Sequence, residues 1–200
     1  GAYEETAVLY RSNAQSRAIE EALLRISIPY RIYGGLRFYE RLEIKNAIAY
    51  LKIIFNNNDN PSFERSISNP TRGVGEKTLG KIRQTAQKYN ISYIKASAKL
   101  IDEGSISGRG GSGLRDYLEF VAGCKSFIEE NSLSDLMELI IKESGLYSYH
   151  AKEAGEKGKT RTENLEELIT ATKNFEQSVK EDKTNTEIAE NYLDVISLDA

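Results

Sequence analysis

The hydrophobic positions in the first 35 residues predict a strand, a helix and a second strand. Residues 6–10 form a short apolar, partly β-branched run that is typical of a buried strand. After a polar break, apolar residues at helical spacing predict a helix over residues 13–26. Residues 30–33 predict the second strand, and the glycine pair at 34–35 predicts a turn. This order implies two parallel strands joined by a helix.

Two strands are too few for a stable sheet. We therefore expect that the sheet is completed elsewhere, or that the chain belongs to a larger protein. The strands would otherwise keep open edges, which predicts that the N-terminal segment is disordered or pairs with another copy of the chain.

From residue 40 onward the pattern is helical. The apolar residues of 44–55 keep the three-and-four spacing of one buried helix face. Further amphipathic segments predict helices at about 62–68, 76–89, 92–101, 114–130, 133–144, 162–177 and 186–196. The polar run 56–61 is the best candidate for a domain boundary. The pattern therefore predicts a mainly α fold that follows a short β-α-β piece.

Composition narrows the chemistry that this chain can perform. Of the 200 residues, 40% are hydrophobic and 28% are charged, which is typical of a globular protein rather than a disordered one. Cys124 and His150 are the only residues of their types, which excludes an internal disulfide, cysteine-cluster zinc sites and His-pair metal motifs. No apolar run approaches the ~18 residues of a membrane span, and the first residues do not form a secretory signal. We predict no catalytic residue and no metal site.

The net charge of −3 conceals a strong asymmetry. Residues 1–99 carry 16 Lys and Arg against 9 Asp and Glu, whereas residues 100–200 carry 11 against 21. A basic half beside an acidic half indicates one surface for a polyanion and another for solvent or a protein partner. Ordinary surface charge is the alternative explanation.

Two glycine patterns resemble nucleotide-binding motifs but lack their context. Residues 108–113 fit the spacing G-x-G-x-x-G, yet no strand precedes them, and that motif needs one. Residues 158–160 read Gly-Lys-Thr, but Glu153 stands where a P-loop requires glycine. An autonomous nucleotide-binding enzyme would depend on these two patterns alone, and we expect residues 155–161 to be an exposed basic loop.

A third glycine pattern, in residues 70–82, carries a more specific signal. It follows one short predicted helix and opens another, and it contains Gly73, Val74 and Gly75. Glycines let backbone N–H groups approach a phosphate, and the start of a helix favours an anion. This arrangement resembles a helix-hairpin-helix, which binds the DNA backbone without reading sequence. The predicted duplex-binding residues are Arg72, Gly73, Val74, Gly75, Lys77, Thr78 and Lys81. The alternative is a plain glycine turn between helices.

The end of the first predicted strand offers a fourth feature. Arg11, Asn13 and Gln15 follow that strand, at the carboxyl end where α/β sheets bind ligands. Arg11 can pair with a phosphate, and Asn13 can donate to a phosphate or a base. The alternative is a helix cap formed by Asn13 and a surface position for Arg11.

Four stretches of the chain resemble the UvrD/PcrA/Rep group of superfamily 1 DNA helicases. They are AVLYRSNAQSR at 7–17, PYRIYGGLRFYERLEIK at 29–45, NPTRGVG at 69–75 and GEKGKTRTENLEEL at 155–168. The resemblance extends over essentially the whole chain. It implies that residues 1–57 are part of an incomplete RecA-like subdomain 2A and that residues 58–200 are the helical subdomain 2B, with a helix-hairpin-helix.

The same resemblance assigns roles to single residues. Arg11 and Asn13 match positions that face single-stranded DNA, with Gln15 beside them, and the glycine hairpin matches the part that touches duplex DNA. Arg37 and Arg41 match positions near DNA or in the hinge between 2A and 2B. Walker A, Walker B and arginine-finger motifs are not found in the sequence. We therefore expect no ATP hydrolysis and no cofactor in this chain, whereas the parent helicase would use ATP and magnesium.

The resemblance implies a DNA-binding and regulatory part of an ATP-dependent 3′-to-5′ DNA helicase that acts in repair or replication. Its expected partners are duplex and single-stranded DNA, the rest of the helicase (subdomains 1A and 1B and the remaining part of 2A) and repair proteins. No membrane partner is expected. The expected location is the bacterial cytoplasm, at the nucleoid. The alternative function is a protein-interaction module that docks repair partners without binding DNA itself.

Overall fold

A computed structural model describes residues 3–32, 36–179 and 182–197, and these residues are mostly helical. The α-helices in these ranges are α1 (Ser16–Arg25), α2 (Leu42–Phe55), α3 (Asn60–Ile67), α4 (Glu76–Tyr89), α5 (Tyr93–Asp102), α6 (Gly108–Glu130), α7 (Leu133–Glu143), α8 (Leu146–Ala151), α9 (Glu156–Ser178) and α10 (Asn185–Ser197). Short 3-10 helices occupy Tyr3–Glu5, Asn13–Gln15 and Phe38–Glu40. The predicted mainly α fold is confirmed. Within these ranges, no helix has both the length and the apolar character needed to cross a membrane.

The described residues contain neither predicted strand. Residues 6–10 are irregular, with Val8 53% and Leu9 93% exposed. Residues 30–32 are also irregular, and Tyr33 with the glycine pair at 34–35 lies outside the described residues. A strand needs a neighbour that accepts and donates its backbone hydrogen bonds, and no described segment supplies one here. The β-α-β prediction is therefore corrected to a single helix, α1, between irregular segments.

Two helix boundaries and one additional helix also differ from the sequence pattern. Helix α6 begins at Gly108 rather than near residue 114, and α9 begins at Glu156 rather than near residue 162. The predicted basic loop at 155–161 is therefore mostly the first turns of α9. Helix α8 was not predicted. Arg, Lys and Glu are good helix formers and each glycine costs only about 1 kcal/mol, so tertiary packing can extend a helix through these residues.

Helix α2 lies at the centre of the helical body and contacts α3, α6, α7 and α9. Ile44, Ala47 and Leu51 are completely buried, which confirms the predicted apolar face of this helix. Phe63 of α3 and Tyr117 of α6 pack edge to face beside it, with ring centroids 5.4 Å apart. This central packing fixes the positions of α3 and α6, while α4 packs on α5, which in turn contacts α3 and α6. Helices α3, α4 and α6 carry the candidate site.

The N-terminal segment, residues 3–32 and 36–41, contacts this body through Phe38, which is buried in the hydrophobic core, and through polar side chains. The Arg17 guanidinium lies 2.7 Å from the Glu167 carboxylate of α9 and 2.7 Å from Glu21 of its own helix. Ser12 donates to Glu163, which lies one turn before Glu167 on α9. A polar seam therefore joins the segment to α9.

Candidate nucleic-acid interface

Residues 68–75, here called the glycine loop, connect α3 to α4. Gly73 has φ +77°, in the left-handed region where glycine is strongly preferred. Val74 is only 8% exposed and belongs to the hydrophobic core, so it ties the loop to the body. Gly75 caps α4 with extended backbone, and both glycines are exposed. The loop therefore presents bare main chain to solvent on either side of one buried anchor.

The backbone N–H groups of residues 73–78 have no hydrogen-bond acceptor among the residues that the structure describes. The first amide of this region to be satisfied is that of Leu79, which donates to the carbonyl oxygen of Gly75 over 3.0 Å. Free amides at the start of α4 carry the positive end of the helix dipole. The loop is thus a preformed environment for an anion.

Lysine side chains border the glycine loop on α4. Lys77 is exposed, and its amino group has no partner in the described part of the chain. Lys81 lies one turn further along, is also exposed, and donates to the carbonyl oxygen of Ser105 over 3.3 Å. Thr78 is half-buried at the base of the loop. Lys77 therefore brings an uncompensated positive charge to this surface.

One acidic residue, Glu76, also lies at the start of α4. Its carboxylate pairs with Arg83 at 2.5 Å, and Arg83 contacts Glu64 of α3 at the same distance. These hydrogen bonds with the two carboxylates raise the pKa of the Arg83 guanidinium. Because Arg83 pairs with Glu76, the repulsion that this carboxylate exerts on an approaching anion is reduced.

Arg72 lies beneath the glycine loop, not on its outer face. Its guanidinium donates to the Tyr50 hydroxyl over 2.5 Å and to the Ser144 carbonyl oxygen over 3.3 Å. The Tyr50 hydroxyl in turn donates to the carbonyl oxygen of Asn69 over 2.7 Å. Burial raises the pKa of Tyr50 to about 12, so it remains a neutral donor. Arg72 thus supports the loop from inside, whereas the sequence analysis placed its charge among the duplex contacts.

The glycine-rich start of α6 packs against the glycine loop. A β-carbon on Gly113 would lie 1.9 Å from the carbonyl oxygen of Arg72, and one on Gly110 would lie 3.1 Å from that of Gly73. The glycines therefore permit a close approach of two backbones. This packing explains the pattern in residues 108–113, which has the spacing of a dinucleotide motif without its strand. It also brings Arg109 to the loop, a residue that the sequence analysis did not select.

The second false motif, Gly-Lys-Thr at 158–160, lies inside α9 and forms no phosphate loop. A β-carbon on Gly158 would lie 2.5 Å from the carbonyl oxygen of Glu153 and 2.7 Å from that of His150. The glycine is thus needed for tight packing of α9 against the end of α8, and carbonyl oxygens would repel a phosphate there. Nor do the described residues include a group of three or more His, Cys, Asp or Glu side chains that could hold a metal ion.

The three residues selected for single-stranded DNA lie on the surface around the 3-10 helix Asn13–Gln15. Arg11, Asn13 and Gln15 are all exposed, and Arg11 and Gln15 line the same shallow groove. The side chain of Gln15 accepts hydrogen bonds from the N–H groups of Arg11 and Ser12, which closes a capping box. Ser12, and not Asn13, is therefore the capping residue of this turn, and the Asn13 side chain is exposed to solvent.

Arg41 and Arg37 have opposite environments. Arg41 is 8% exposed, and its guanidinium donates to the Asn13 carbonyl oxygen, the Ser16 hydroxyl and the Asn164 side chain over 2.7, 2.7 and 3.1 Å. Burial lowers the pKa of Arg41. Arg37 is exposed, stacks over Tyr30, and lines a cleft of about 540 Å³ between α1 and α2. Arg41 thus joins the N-terminal segment to α9, whereas Arg37 remains accessible.

These features define a mainly helical protein whose glycine loop, with free amides, lies between two helices. Residues 1–107 match the model of the UvrD-like helicase C-terminal domain, and the chain belongs to this family.

Curated relatives support the same assignment. The chain is 48% identical over 175 residues to DNA helicase II of Escherichia coli, a match that covers 88% of this chain and 24% of the relative. It is 36% identical over 198 residues to the ATP-dependent DNA helicase PcrA of Leuconostoc citreum, covering 98% of this chain and 26% of the relative. PcrA of Bacillus subtilis is 36% identical over 180 residues, with coverage of 90% and 24%. The chain thus spans about a quarter of the length of these relatives.

Proposed function

We propose that this chain is the DNA-binding and regulatory part of an ATP-dependent 3′-to-5′ DNA helicase of the UvrD type, acting in repair or replication. Its glycine loop forms the hairpin of a helix-hairpin-helix and docks onto the backbone of duplex DNA. The observation that carries this proposal is the run of N–H groups at residues 73–78, which have no acceptor among the described residues. Phosphate oxygens are suitable acceptors for such a run of amides.

Charge supports a contact with the backbone rather than with the bases. Lys77 has a free amino group next to the amides, and Lys81 lies one turn beyond it. Gly73 and Gly75 have no side chains that could reach a base edge, so this contact would not read sequence. We include Thr78 and Val74 in the site because Thr78 lies at its base and Val74 anchors the loop. Arg72 contributes by holding the loop in place.

The remaining assignments follow from family membership. Residues 1–57 would belong to subdomain 2A, with its β-α-β piece completed in the whole helicase, and residues 58–200 to subdomain 2B. Arg11, Asn13 and Gln15 would contact single-stranded DNA, since they are exposed on one surface. Arg41 would act in the hinge between 2A and 2B, and Arg37 would contact DNA or the hinge. ATP and magnesium would be bound elsewhere in the whole helicase.

The exposed apolar residues of the N-terminal segment support the rest of the helicase as a partner. Val8, Leu9, Leu24 and Ile26 are between 42% and 93% exposed. Large apolar side chains that are exposed to water favour burial against another protein element. The remaining part of 2A is the partner that family membership provides.

Duplex binding by the 200-residue chain tests the main proposal. We expect labelled duplex DNA to bind with saturation in a fluorescence anisotropy titration, and the affinity to fall steeply with salt because counterions are released. Lys77→Glu should weaken binding about tenfold, since it replaces a phosphate contact with a repulsive charge. Lys173→Glu is the matched control, because Lys173 is exposed on α9 in the acidic half of the chain.

Equal affinities of Lys77→Glu and the unsubstituted chain at low salt would contradict the glycine loop as the binding site. Absence of duplex binding altogether would favour a protein-interaction module. If Lys77→Glu binds more weakly, unchanged thermal unfolding of this variant would show that the loss does not come from misfolding.

A further inference from the structure

The arginine side chains near the glycine loop differ in what they contact. Arg72 is bound to Tyr50 and Ser144 beneath the loop, and Arg83 is paired with carboxylates on its far side. Arg109 is exposed, and the structure records no hydrogen bond or ion pair for it within the described ranges. Its positive charge is therefore available to a ligand.

Arg109 also has a defined position against the loop. A β-carbon on Gly73 would lie 2.8 Å from its Cγ, 3.2 Å from its Cδ and 3.3 Å from its Nε. The aliphatic stem thus covers the Cα of Gly73, and the guanidinium begins at the edge of the same surface. Gly110, the next residue, approaches the Gly73 carbonyl oxygen closely enough to keep the start of α6 in place.

We propose that Arg109 is a further phosphate-binding residue of the glycine-loop site. The inference rests on the proposed duplex contact and extends it to a second helix, so that cations of both α4 and α6 border the loop amides. A guanidinium can bind a phosphate through two parallel N–H···O hydrogen bonds, which an ammonium group cannot do. Because the stem already packs on Gly73, little side-chain freedom remains to be lost on binding.

A packing role alone would not require a charge at this position. A methionine side chain has a similar length and an apolar stem, and it would cover Gly73 equally well. The Arg109→Met variant therefore separates a charge contact from a structural contact. Arg115→Met is the matched control, because Arg115 is exposed on the same helix.

The test is anisotropy titration of labelled duplex DNA with the 200-residue chain at several salt concentrations. We expect Arg109→Met to weaken binding about tenfold at low salt and to reduce the slope of log affinity against log salt by about 0.9. Arg109→Lys should weaken binding about threefold, because it retains the charge but not the paired hydrogen bonds. Arg115→Met should match the unsubstituted chain, and all variants should keep its melting temperature.

Unchanged binding and salt slope in Arg109→Met would overturn this inference and leave the proposed function intact. An equal loss in Arg115→Met would also overturn it, since the effect would then come from net charge. Absence of duplex binding by the unsubstituted chain would overturn the proposed function and this inference together.

Discussion

Helices α1 and α6 are both amphipathic, but they turn opposite faces toward the rest of the molecule. The buried residues of α6 include Leu114, Tyr117 and Val121, as the apolar periodicity predicts. The buried residues of α1 are polar, whereas Leu24 of this helix and Ile26 directly after it are 42% and 63% exposed. The helical body thus satisfies its own hydrophobic faces, whereas the N-terminal segment does not.

The polar face of α1 is buried because charged partners meet it there. Arg17 pairs with Glu167 of α9, and Arg41 bonds to the hydroxyl of Ser16. Buried polar groups of this kind hold a segment in one orientation, but they add little net stability. The comparison teaches that periodicity identifies the apolar face of a helix but does not identify the neighbour that covers it.

The largest expected effect is a difference in unfolding free energy between a substitution in the helical body and one in the N-terminal segment. Phe63→Ala should lower the free energy of unfolding by about 3–5 kcal/mol, because Phe63 is fully buried between Tyr93 and Tyr117. Leu24→Ala in α1 should cost less than about 0.5 kcal/mol, since its side chain is already partly in water. Urea unfolding followed by circular dichroism measures both. Similar losses in the two variants would contradict the contrast between the regions.

A smaller effect tests how the N-terminal segment is attached. Arg41→Ala removes the donor shared by Asn13, Ser16 and Asn164, and it should destabilise the attachment by about 2–3 kcal/mol. Hydrogen exchange within residues 3–32 should then accelerate, while exchange in α2 and α6 stays nearly unchanged. Arg37→Ala is the control, since Arg37 is exposed. Equal acceleration in the body would show that the two regions unfold as one unit.

The smallest expected effects are the changes in stability when two glycines of α6 are replaced by alanine. Gly113→Ala should destabilise the protein by about 1–3 kcal/mol, because the new methyl group would overlap the Arg72 carbonyl oxygen and displace the glycine loop. Gly123→Ala, in the same helix, should stabilise it by up to about 1 kcal/mol, since no atom beyond the neighbouring backbone of α6 lies within 4 Å of the added β-carbon and alanine favours the helix. Thermal unfolding measures both changes. Stabilisation by Gly113→Ala would show that the loop yields without cost.

The helices and the glycine loop could be predicted from the sequence, because they depend on the spacing and type of neighbouring residues. The spacing of Ile44, Ala47 and Leu51 alone predicts the buried face of α2. The glycines of residues 73–75 predict a turn before α4, because glycine permits the backbone geometry found there. The outward Lys77 is also readable from sequence, as a charge in the first turn of a helix. These features depend on residues that are close together in the chain.

The remaining features depend on residues that are far apart in the chain. Residues 6–10 have the composition of a strand, but a strand forms only where a second one accepts its hydrogen bonds, so they remain irregular here. Likewise, Tyr50 of α2 and Ser144 after α7 hold the Arg72 side chain inward, and the packing of α6 on the loop brings Arg109 to Gly73. By itself the sequence determined the helical periodicity and the bare turn at residues 73–75. The tertiary structure decided which charges lie beside that turn, because the direction of a long side chain depends on its non-local neighbours.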